Sequence, residues 1–313
     1  MAGKDIRFIG FLANVQGSLH RLKPSHGFEI HRYTYQRLGR LLAGVERMTG
    51  IDVSELCDRS TLIPGERTYC YCVTSVLPHK AQSTKHGGVV IPVPPIRKHS
   101  VDYVEKYLMG RVAIMRLFRE GDVSIPCWCY YCGNDNHPNI MSVHHGRYWP
   151  RRGLKYEVRG KETSQLQQLL DTIDLPFAAE YLRLSLRSFE LSYVVPDMGL
   201  KFLSLMMALE TLLIPSPHEL RYRVSRNAAV LLGDNREDAN RIFRELKTLY
   251  NKRSKLVHEG RGSIISHHDI RSLGNYVRRA ILEVCRMSLN KQELGELLNS
   301  CGFGESPWRS ANR

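Results

Sequence analysis

Long hydrophobic runs are absent from this chain of 313 residues. The longest apolar stretch, Phe202 to Pro215, contains Glu210 and is shorter than the ~20 residues that a transmembrane helix needs. The first residues, Met1 to Arg7, lack the apolar core of a signal peptide. These absences argue against a membrane protein and against a secreted one, so we expect a cytoplasmic location without membrane contact.

Repeats and biased tracts are also missing, and acidic residues are few relative to basic ones. With a hydrophobic fraction of 42%, a chain of this length can bury one large core or two ordinary ones. Lys and Arg total 45 against 31 Asp and Glu, which gives a formal net charge of +14. Such a charge favours a polyanionic partner, because Lys and Arg neutralise phosphates and release counterions. Charge alone does not separate nucleic-acid binders from other basic proteins.

Eight cysteines in a cytoplasmic chain are expected to be reduced thiols or metal ligands. Three of them lie close together and are followed by histidines, but the spacing is imperfect for zinc, because Cys127 and Cys129 are only two positions apart and share one face of a strand. We favour small apolar residues in the core of a sheet. A structural zinc and reactive thiols remain the alternatives. The candidate zinc ligands are Cys127, Cys129, Cys132 and His137, with His144 or His145 as a substitute.

Strand-like segments dominate the first half of the chain. Five stretches combine β-branched and aromatic residues, namely 6–15, 66–77, 88–93, 123–131 and 140–145. Between them, residues 33–49 and 101–119 have the three-and-four spacing of apolar residues that is typical of helices. We therefore predict a mixed α/β domain over residues 1–160, with loops at 79–86 and 134–139.

The second half of the chain is predicted to be helical. From Ser164 onward the strand signals stop, and helical periodicity continues between breaks at prolines and glycines. One of these helices begins at Ser266, a serine cap with Asp269 three residues later. The predicted fold class is α+β, with an all-α bundle over residues 161–300 and a flexible tail over 301–313.

The most informative segment is Leu249 to Gly260, which places an arginine and a histidine near the glycine-marked end of an amphipathic helix. Arg253 and His258 are separated by four residues. Arginine holds phosphate oxygens in a rigid fork of donors, and histidine, with a pKa of about 6.5, exchanges protons near neutral pH. Cations near a helix C-terminus are favoured in any protein, so the pair alone is a weak signal.

The surrounding pattern resembles the ApeA-like branch of the HEPN superfamily, whose signature is Arg, four to six residues, then His. The flanking segments of that branch are also present here: Ala208 to Leu212 (ALETL), Arg221 to Gly233 (RYRVSRNAAVLLG) and Tyr250 to Ser254 (YNKRS). The resemblance covers residues ~176–300. It implies a helical HEPN-type nuclease domain that acts as a homodimer, with Arg253 and His258 as the catalytic pair.

Arg253 and His258 point to different sides of a straight helix, about 140° apart. Arg253 falls at the margin of the apolar stripe, where an unpaired guanidinium would be costly, so it needs an acid. Glu210 is the one carboxylate within the apolar helix from Gly199 to Leu213. We therefore predict that Glu210 pairs with Arg253 or its surroundings, against the alternative that Glu210 faces solvent.

Several other residues of the segment could support an RNA site. Ser254 lies on the face of His258 and could orient it or the phosphate, or it could be a passive small residue. Tyr250 could stack on a flipped base, although we favour packing at the edge of the stripe. Three basic residues at the end of the helix are predicted to be exposed and to contact the RNA backbone, although a helix end that only faces solvent explains their charges equally well. They are Lys252, Lys255 and Arg261.

These residues lead to the hypothesis of a metal-independent endoribonuclease. The RNA 2′-hydroxyl attacks the adjacent phosphate, His258 moves the proton, and Arg253 stabilises the charge that develops. No cofactor is required. The expected partners are RNA, including tRNA or another structured RNA, and a second copy of the chain. The resemblance further suggests phage defence or toxin-like growth arrest, in which a phage-derived protein or an inhibitor triggers or restrains the enzyme, and the N-terminal domain recognises the trigger or the RNA.

Two alternatives belong to other functional classes. In the first, a non-catalytic HEPN-type protein dimerises or binds nucleotide or nucleic acid, and Arg253 and His258 are vestigial. In the second, the N-terminal domain binds nucleic acid with the help of a structural zinc, and the helices only dimerise. A vestigial site would not need to retain both residues, so the intact pair favours the ribonuclease.

Overall fold

A computed structural model of the chain describes residues 6–24, 27–50, 69–77, 82–86, 89–93, 101–134, 137–146, 154–214, 219–260 and 262–305. The chain divides into two compact units, Met1–Leu175 and Pro176–Arg313. The predicted α+β class is confirmed in its coarse form, as a mixed protein with an antiparallel five-stranded sheet. Within the described ranges, none of the helices combines the length and the apolar character that a bilayer crossing requires.

The first unit contains nine described strands and three α-helices. In chain order they are β1 (Ile6–Leu12), β2 (Val15–Gly17), β3 (Glu29–Thr34), α1 (Tyr35–Thr49), β4 (Tyr69–Leu77), β5 (Gln82–His86), β6 (Val89–Val93), α2 (Val101–Phe118), β7 (Cys127–Asn134), β8 (His137–His145), β9 (Tyr156–Val158) and α3 (Lys161–Thr172). The main sheet has the order β3-β4-β1-β7-β8 with antiparallel neighbours. The described residues of this unit also form two small sheets, β2-β9 and β5-β6.

Alternation along the strands creates the core between the main sheet and α1. Successive strand residues point to opposite faces, so every second residue of β1 and β7 meets the helix. The helix begins after Thr34, whose side chain accepts a hydrogen bond from the backbone N–H of Arg37, and ends at Gly50 with φ of 70°. The buried cluster comprises Ile9, Phe11, Leu38, Leu41, Leu42, Val45, Cys70, Cys72, Cys127, Cys129 and Tyr131.

Several predicted boundaries in this unit differ from the observed ones. Strand β3 was not predicted, and β5 lies where residues 79–86 were predicted to be a loop, so that prediction is wrong for residues 82–86. The loop predicted at 134–139 is also too long, because Asn134 already pairs with His137 in the hairpin of β7 and β8. These short polar strands pair with neighbours along the sheet, and their own composition carries no strong strand signal.

The second unit is helical over its described residues. In chain order the helices are α4 (Glu180–Val194), α5 (Met198–Leu213), α6 (Leu220–Leu232), α7 (Arg236–Glu259), α8 (His267–Met287) and α9 (Lys291–Ser300). Neighbours joined by short connections pack as pairs, α4 with α5 and α6 with α7, and α8 packs against α5 and α6. The most apolar helix is α5, whose buried residues include Phe202, Leu205, Leu209 and Leu212.

The division between the units falls after α3 rather than at residue 160, where the strand signals stop. Helix α3 packs against α2 of the first unit, and Arg111 on α2 donates a hydrogen bond to the Leu170 carbonyl on α3. Helical periodicity therefore did not locate the boundary, because α3 is a helix of the sheet-containing unit.

The start of the tail that was predicted to be flexible packs against the helices. Cys301 is buried, and its carbonyl accepts a hydrogen bond of 2.8 Å from Nη2 of Arg226. The ring of Phe303 lies 5.6 Å from the ring of Phe243. The prediction of a flexible tail is therefore wrong for residues 301–305, and the rest of the predicted tail, residues 306–313, lies outside the described residues.

Candidate RNA-binding and catalytic site

Helix α7 carries most of the residues predicted for the site. It begins at Asn235, whose side chain accepts a hydrogen bond of 2.9 Å from the backbone N–H of Asp238. It ends at Gly260, which has φ of 66°, a left-handed conformation that glycine adopts without strain. These caps place Arg253 and His258 in the last two turns of a helix of 24 residues.

The predicted pairing of Glu210 with Arg253 is present in the structure. Oε1 of Glu210 on α5 lies 3.6 Å from Nε of Arg253, and the two side chains are 19% and 27% exposed. The same carboxylate oxygen is buried and has no hydrogen-bond partner among the described residues. The ion pair is thus a long contact at the margin of the core, which holds the guanidinium in place and leaves part of it open to solvent.

Tyr250 completes this cluster from within α7. It is buried, and Cζ of Arg253 lies 5.6 Å from the centre of its ring. Burial, together with the Glu210 carboxylate, raises the pKa of the Tyr250 hydroxyl to about 12. Tyr250 therefore packs under Arg253 as a neutral side chain, and it does not present its ring to a base. This placement agrees with the packing role that the sequence favoured.

His258 lies on a different side of the same helix. It is exposed, as is Lys255, and the partly exposed Ser254 is one turn earlier on the same face. Within one chain, His258 and Arg253 diverge by about 140° around the helix axis. The structure therefore groups Glu210, Tyr250 and Arg253, and it leaves His258 on a separate polar face.

The remaining predicted contacts have different outcomes. Nζ of Lys252 lies 2.7 Å from Oδ2 of Asp269, a side chain that is only 9% exposed. Asp269 also forms a capping box with Ser266 at the start of α8. Burial alone would raise the pKa of the Asp269 carboxyl, but the hydrogen bonds from Lys252 and Ser266 have the larger combined effect and lower this pKa. The ammonium of Lys252 is thus already paired in the chain, which gives it a structural role. Arg261 lies outside the described residues.

One residue close to the site was not predicted from sequence. Nη1 of Arg221, at the start of α6, donates a hydrogen bond of 3.1 Å to Oδ1 of Asn251 on α7. Asn251 lies seven residues before His258, so both fall on nearly the same side of the helix. Both segments had been noted as part of the family pattern, but no local signal indicated that Arg221 reaches α7 beside the face of His258.

The cysteine and histidine cluster of the first unit occupies the sheet. Cys127 and Cys129 belong to the buried core under α1, and burial raises the pKa of the Cys127 thiol to about 12 and that of Cys129 further. Sγ of Cys132 contacts Sδ of Met141 at 3.4 Å, and Nδ1 of His137 lies 3.3 Å from Nη1 of Arg40. In the part of the chain that the structure describes, no three His, Cys, Asp or Glu side chains are grouped as a metal site would require. This placement corresponds to the favoured core interpretation.

An apolar surface lies beside Arg253. Three large apolar side chains are unusually exposed there, Leu200 at 52% and Met207 at 46% on α5, and Val257 at 47% on α7. Leu200 and Met207 are seven residues apart and share one face of α5 with Glu210. Leu256, which precedes Val257, packs against Gly199 beside Leu200. We call Leu200, Met207 and Val257 the apolar patch.

Comparison of the chain with family models, with curated proteins and with solved structures finds no match.

Replacing Glu210 by glutamine is expected to lower the free energy of unfolding by about 1–2 kcal/mol. The substitution keeps the size of the side chain but leaves the partly buried guanidinium of Arg253 without its counter-charge. Urea denaturation would measure the loss. The matched control is Glu296→Gln on the exposed side of α9, which should change stability by less than about 0.5 kcal/mol. Equal midpoints for Glu210→Gln and wild type would contradict a stabilising ion pair.

Proposed function

We propose that the protein is a metal-independent endoribonuclease that acts through Arg253 and His258. One observation carries the proposal: the helix that ends at Gly260 holds an arginine anchored by Glu210 and, five residues later, an exposed histidine. The Glu210 contact is made through Nε, and the guanidinium is partly exposed. Its terminal nitrogens can therefore face a phosphate. An anchored cation and an exposed proton carrier are the two groups that cleavage by the RNA 2′-hydroxyl needs.

In the proposed reaction, the 2′-oxygen forms a bond to the adjacent phosphorus and the bond from phosphorus to the 5′-oxygen breaks. His258 accepts the proton of the 2′-hydroxyl as general base and then donates it, as general acid, to the leaving 5′-oxygen, so that one histidine serves each phosphodiester. Arg253 stabilises the negative charge on the phosphorane oxygens. The products are a 2′,3′-cyclic phosphate and a 5′-hydroxyl. DNA is inert, because it lacks the nucleophile.

A homodimer is part of this proposal, because one chain does not bring the two residues together. Arg253 and His258 diverge around α7, so a single phosphodiester can meet both only if a second copy supplies one of them. The apolar patch supports such an assembly, since three exposed apolar side chains beside Arg253 would be covered by a twofold partner. The proposed contact is symmetric, with the α7 ends of both protomers facing each other.

RNA is the proposed substrate, including tRNA or another structured RNA. Lys255 and Arg221 lie on or beside the face of His258, where they can contact the phosphate backbone. The net charge of +14 would assist the approach of any polyanion. We further propose a role in phage defence or growth arrest, in which the first unit recognises a trigger or the RNA. This role depends on the family resemblance alone.

The proposal is tested by sequencing RNA ends after induced expression of wild type and of His258→Ala. We expect new 5′-hydroxyl ends in the wild-type sample only, and their positions identify the RNA and the cleaved bond. Identical end profiles in the two samples would show that the protein does not cut RNA through His258.

Chelation by EDTA is expected to leave cleavage by the purified protein unchanged. In the proposed reaction Arg253 supplies the positive charge and His258 transfers the proton, so no step uses a metal ion. The measurement is the cleavage rate with EDTA and after addition of Mg²⁺. Strong inhibition that Mg²⁺ reverses would place the chemistry at another site.

A further inference from the structure

A cavity opens at one end of the main sheet in the first unit. Its volume is about 370 Å³, within the range of small-molecule pockets. Residues of β1, β3, β4 and β7 line it, together with Arg37 from the first turn of α1. The cavity therefore lies where the cover of α1 over the sheet begins.

Strand pairing gathers lining residues of the sheet on one face. Arg7 on β1 pairs with Val76 on β4 and with Tyr131 on β7, and Glu29 on β3 pairs with Thr74 on β4. Paired residues point to the same face, and so do residues two positions apart on a strand, such as Thr74 and Val76. Tyr131 also belongs to the buried cluster under α1. These five side chains thus share the face of the sheet that packs against α1.

Apolar groups form part of the cavity surface. Val76 is 58% exposed, although β4 is an interior strand between β3 and β1. Tyr33 and the buried Tyr131 line the same cavity. An exposed valine that shares a cavity with two aromatic side chains suits the apolar part of a ligand.

Positive charge is in excess among the charged lining residues. Arg7 and Arg37 are basic, and Glu29 is the one acid among the described residues that line the cavity. Oε2 of Glu29 lies 2.9 Å from Nε2 of His31 on the same strand, so this carboxylate already has a partner. The guanidinium of Arg37 lies over the ring of Tyr33, with Cζ 4.6 Å from the ring centre.

This charge balance matches a ligand with one negative charge. A carboxylic acid is ionised at neutral pH and carries a single charge, and its two oxygens fit the paired donors of a guanidinium. A phosphate monoester, with nearly two negative charges at neutral pH, fits the balance less well. The cavity therefore favours a carboxylate over a phosphate.

We propose that this cavity binds a small carboxylic acid with an apolar body. Arg7 and Arg37 hold the carboxylate, and Val76 and Tyr131 contact the apolar part. A free acid and the carboxyl end of a peptide offer the same chemistry to these side chains. The proposal is independent of the ribonuclease activity, because it uses no residue of the second unit.

Titration calorimetry with the full chain and with benzoate as the probe tests the proposal. The neutral analogue benzamide should bind at least about tenfold more weakly than benzoate, because it lacks the charge that the arginines recognise. Arg7→Gln and Arg37→Gln should each weaken benzoate binding about tenfold. The matched control is Arg47→Gln, which removes an exposed arginine of α1 that does not line the cavity.

A second variant, Val76→Glu, adds a negative charge to the cavity at a position that is already exposed. It should abolish benzoate binding and leave the melting temperature unchanged. Its matched control is Met48→Glu on α1, because Met48 is 55% exposed and lies outside the cavity. This variant should bind benzoate as the wild type does.

A tripeptide that ends in phenylalanine separates the two sources of the ligand. Tighter binding of the tripeptide than of benzoate, lost when its carboxyl end is amidated, supports the end of a peptide, whereas binding of benzoate alone supports a free acid. The proposal would be overturned if neither probe bound, if benzoate and benzamide bound equally, or if Arg7→Gln, Arg37→Gln and Val76→Glu left the affinity unchanged.

Discussion

Replacing His258 by alanine is expected to lower the rate of RNA cleavage by about two to four orders of magnitude. The histidine is the proposed proton carrier, and it is the one histidine in the sequence of α7. His258 is exposed and makes no hydrogen bond or ion pair within the described residues, so the fold should be unaffected. The measurement is the initial rate on a defined RNA, together with the melting temperature.

The matched control for this prediction is His267→Ala. His267 is an exposed histidine at the start of α8, and it lies outside the proposed site. We expect wild-type rates for this variant. Comparable cleavage by His258→Ala and wild type, with both proteins folded, would rule out His258 as the proton carrier.

Mixing two inactive chains, Arg253→Ala and His258→Ala, is expected to restore part of the activity. About half of the dimers in an equal mixture contain one chain of each kind, and each of these retains one arginine and one histidine. Because the two residues diverge around α7, the proposed site takes them from different protomers. Recovery to about a quarter of the wild-type rate is therefore expected if one surviving pair suffices. Co-expression of the two chains ensures that mixed dimers form, and native mass spectrometry counts them.

A second mixture provides the control. Wild-type chains combined with the double variant Arg253→Ala/His258→Ala form dimers in which both residues lie on one chain. We expect these mixed dimers to be inactive, so the activity of the mixture should equal that of the wild-type homodimers it contains. A higher activity would show that one chain alone can assemble a site. A monomer that cuts RNA at full specific activity would contradict the shared site, as would mixed dimers of the two single variants that remain inactive.

The sequence located the elements around the site because their signals are local. Asn235 and Gly260 lie at the ends of α7, and the Ser266 and Asp269 capping box begins α8, as its serine-and-acid spacing predicted. Such caps form between residues a few positions apart, so the printed sequence contains both partners. The pairing of Glu210 with Arg253 was also accessible, because Glu210 is the one acid of an apolar helix and Arg253 lies at the margin of the apolar stripe.

Long-range partnerships were not accessible in this way. The ammonium of Lys252 pairs with Asp269, seventeen positions later, although its place in the chain suggested an exposed phosphate contact. Strand β3 was missed because its pairing with β4, rather than its own composition, places it in the sheet. The helix α3 belongs to the first unit because it packs against α2, which helical periodicity cannot indicate.

The sequence by itself therefore determined the mixed composition of the chain, the glycine-marked end of α7 and the chemical character of Arg253 and His258. Tertiary structure decided which of the basic residues are already neutralised by an acid. Lys252 is paired with Asp269, whereas Lys255, three residues later on the same helix, is exposed on the face of His258. The physical reason is that charge and helical period are properties of the residues along the chain, while ion pairing depends on which helices meet in space.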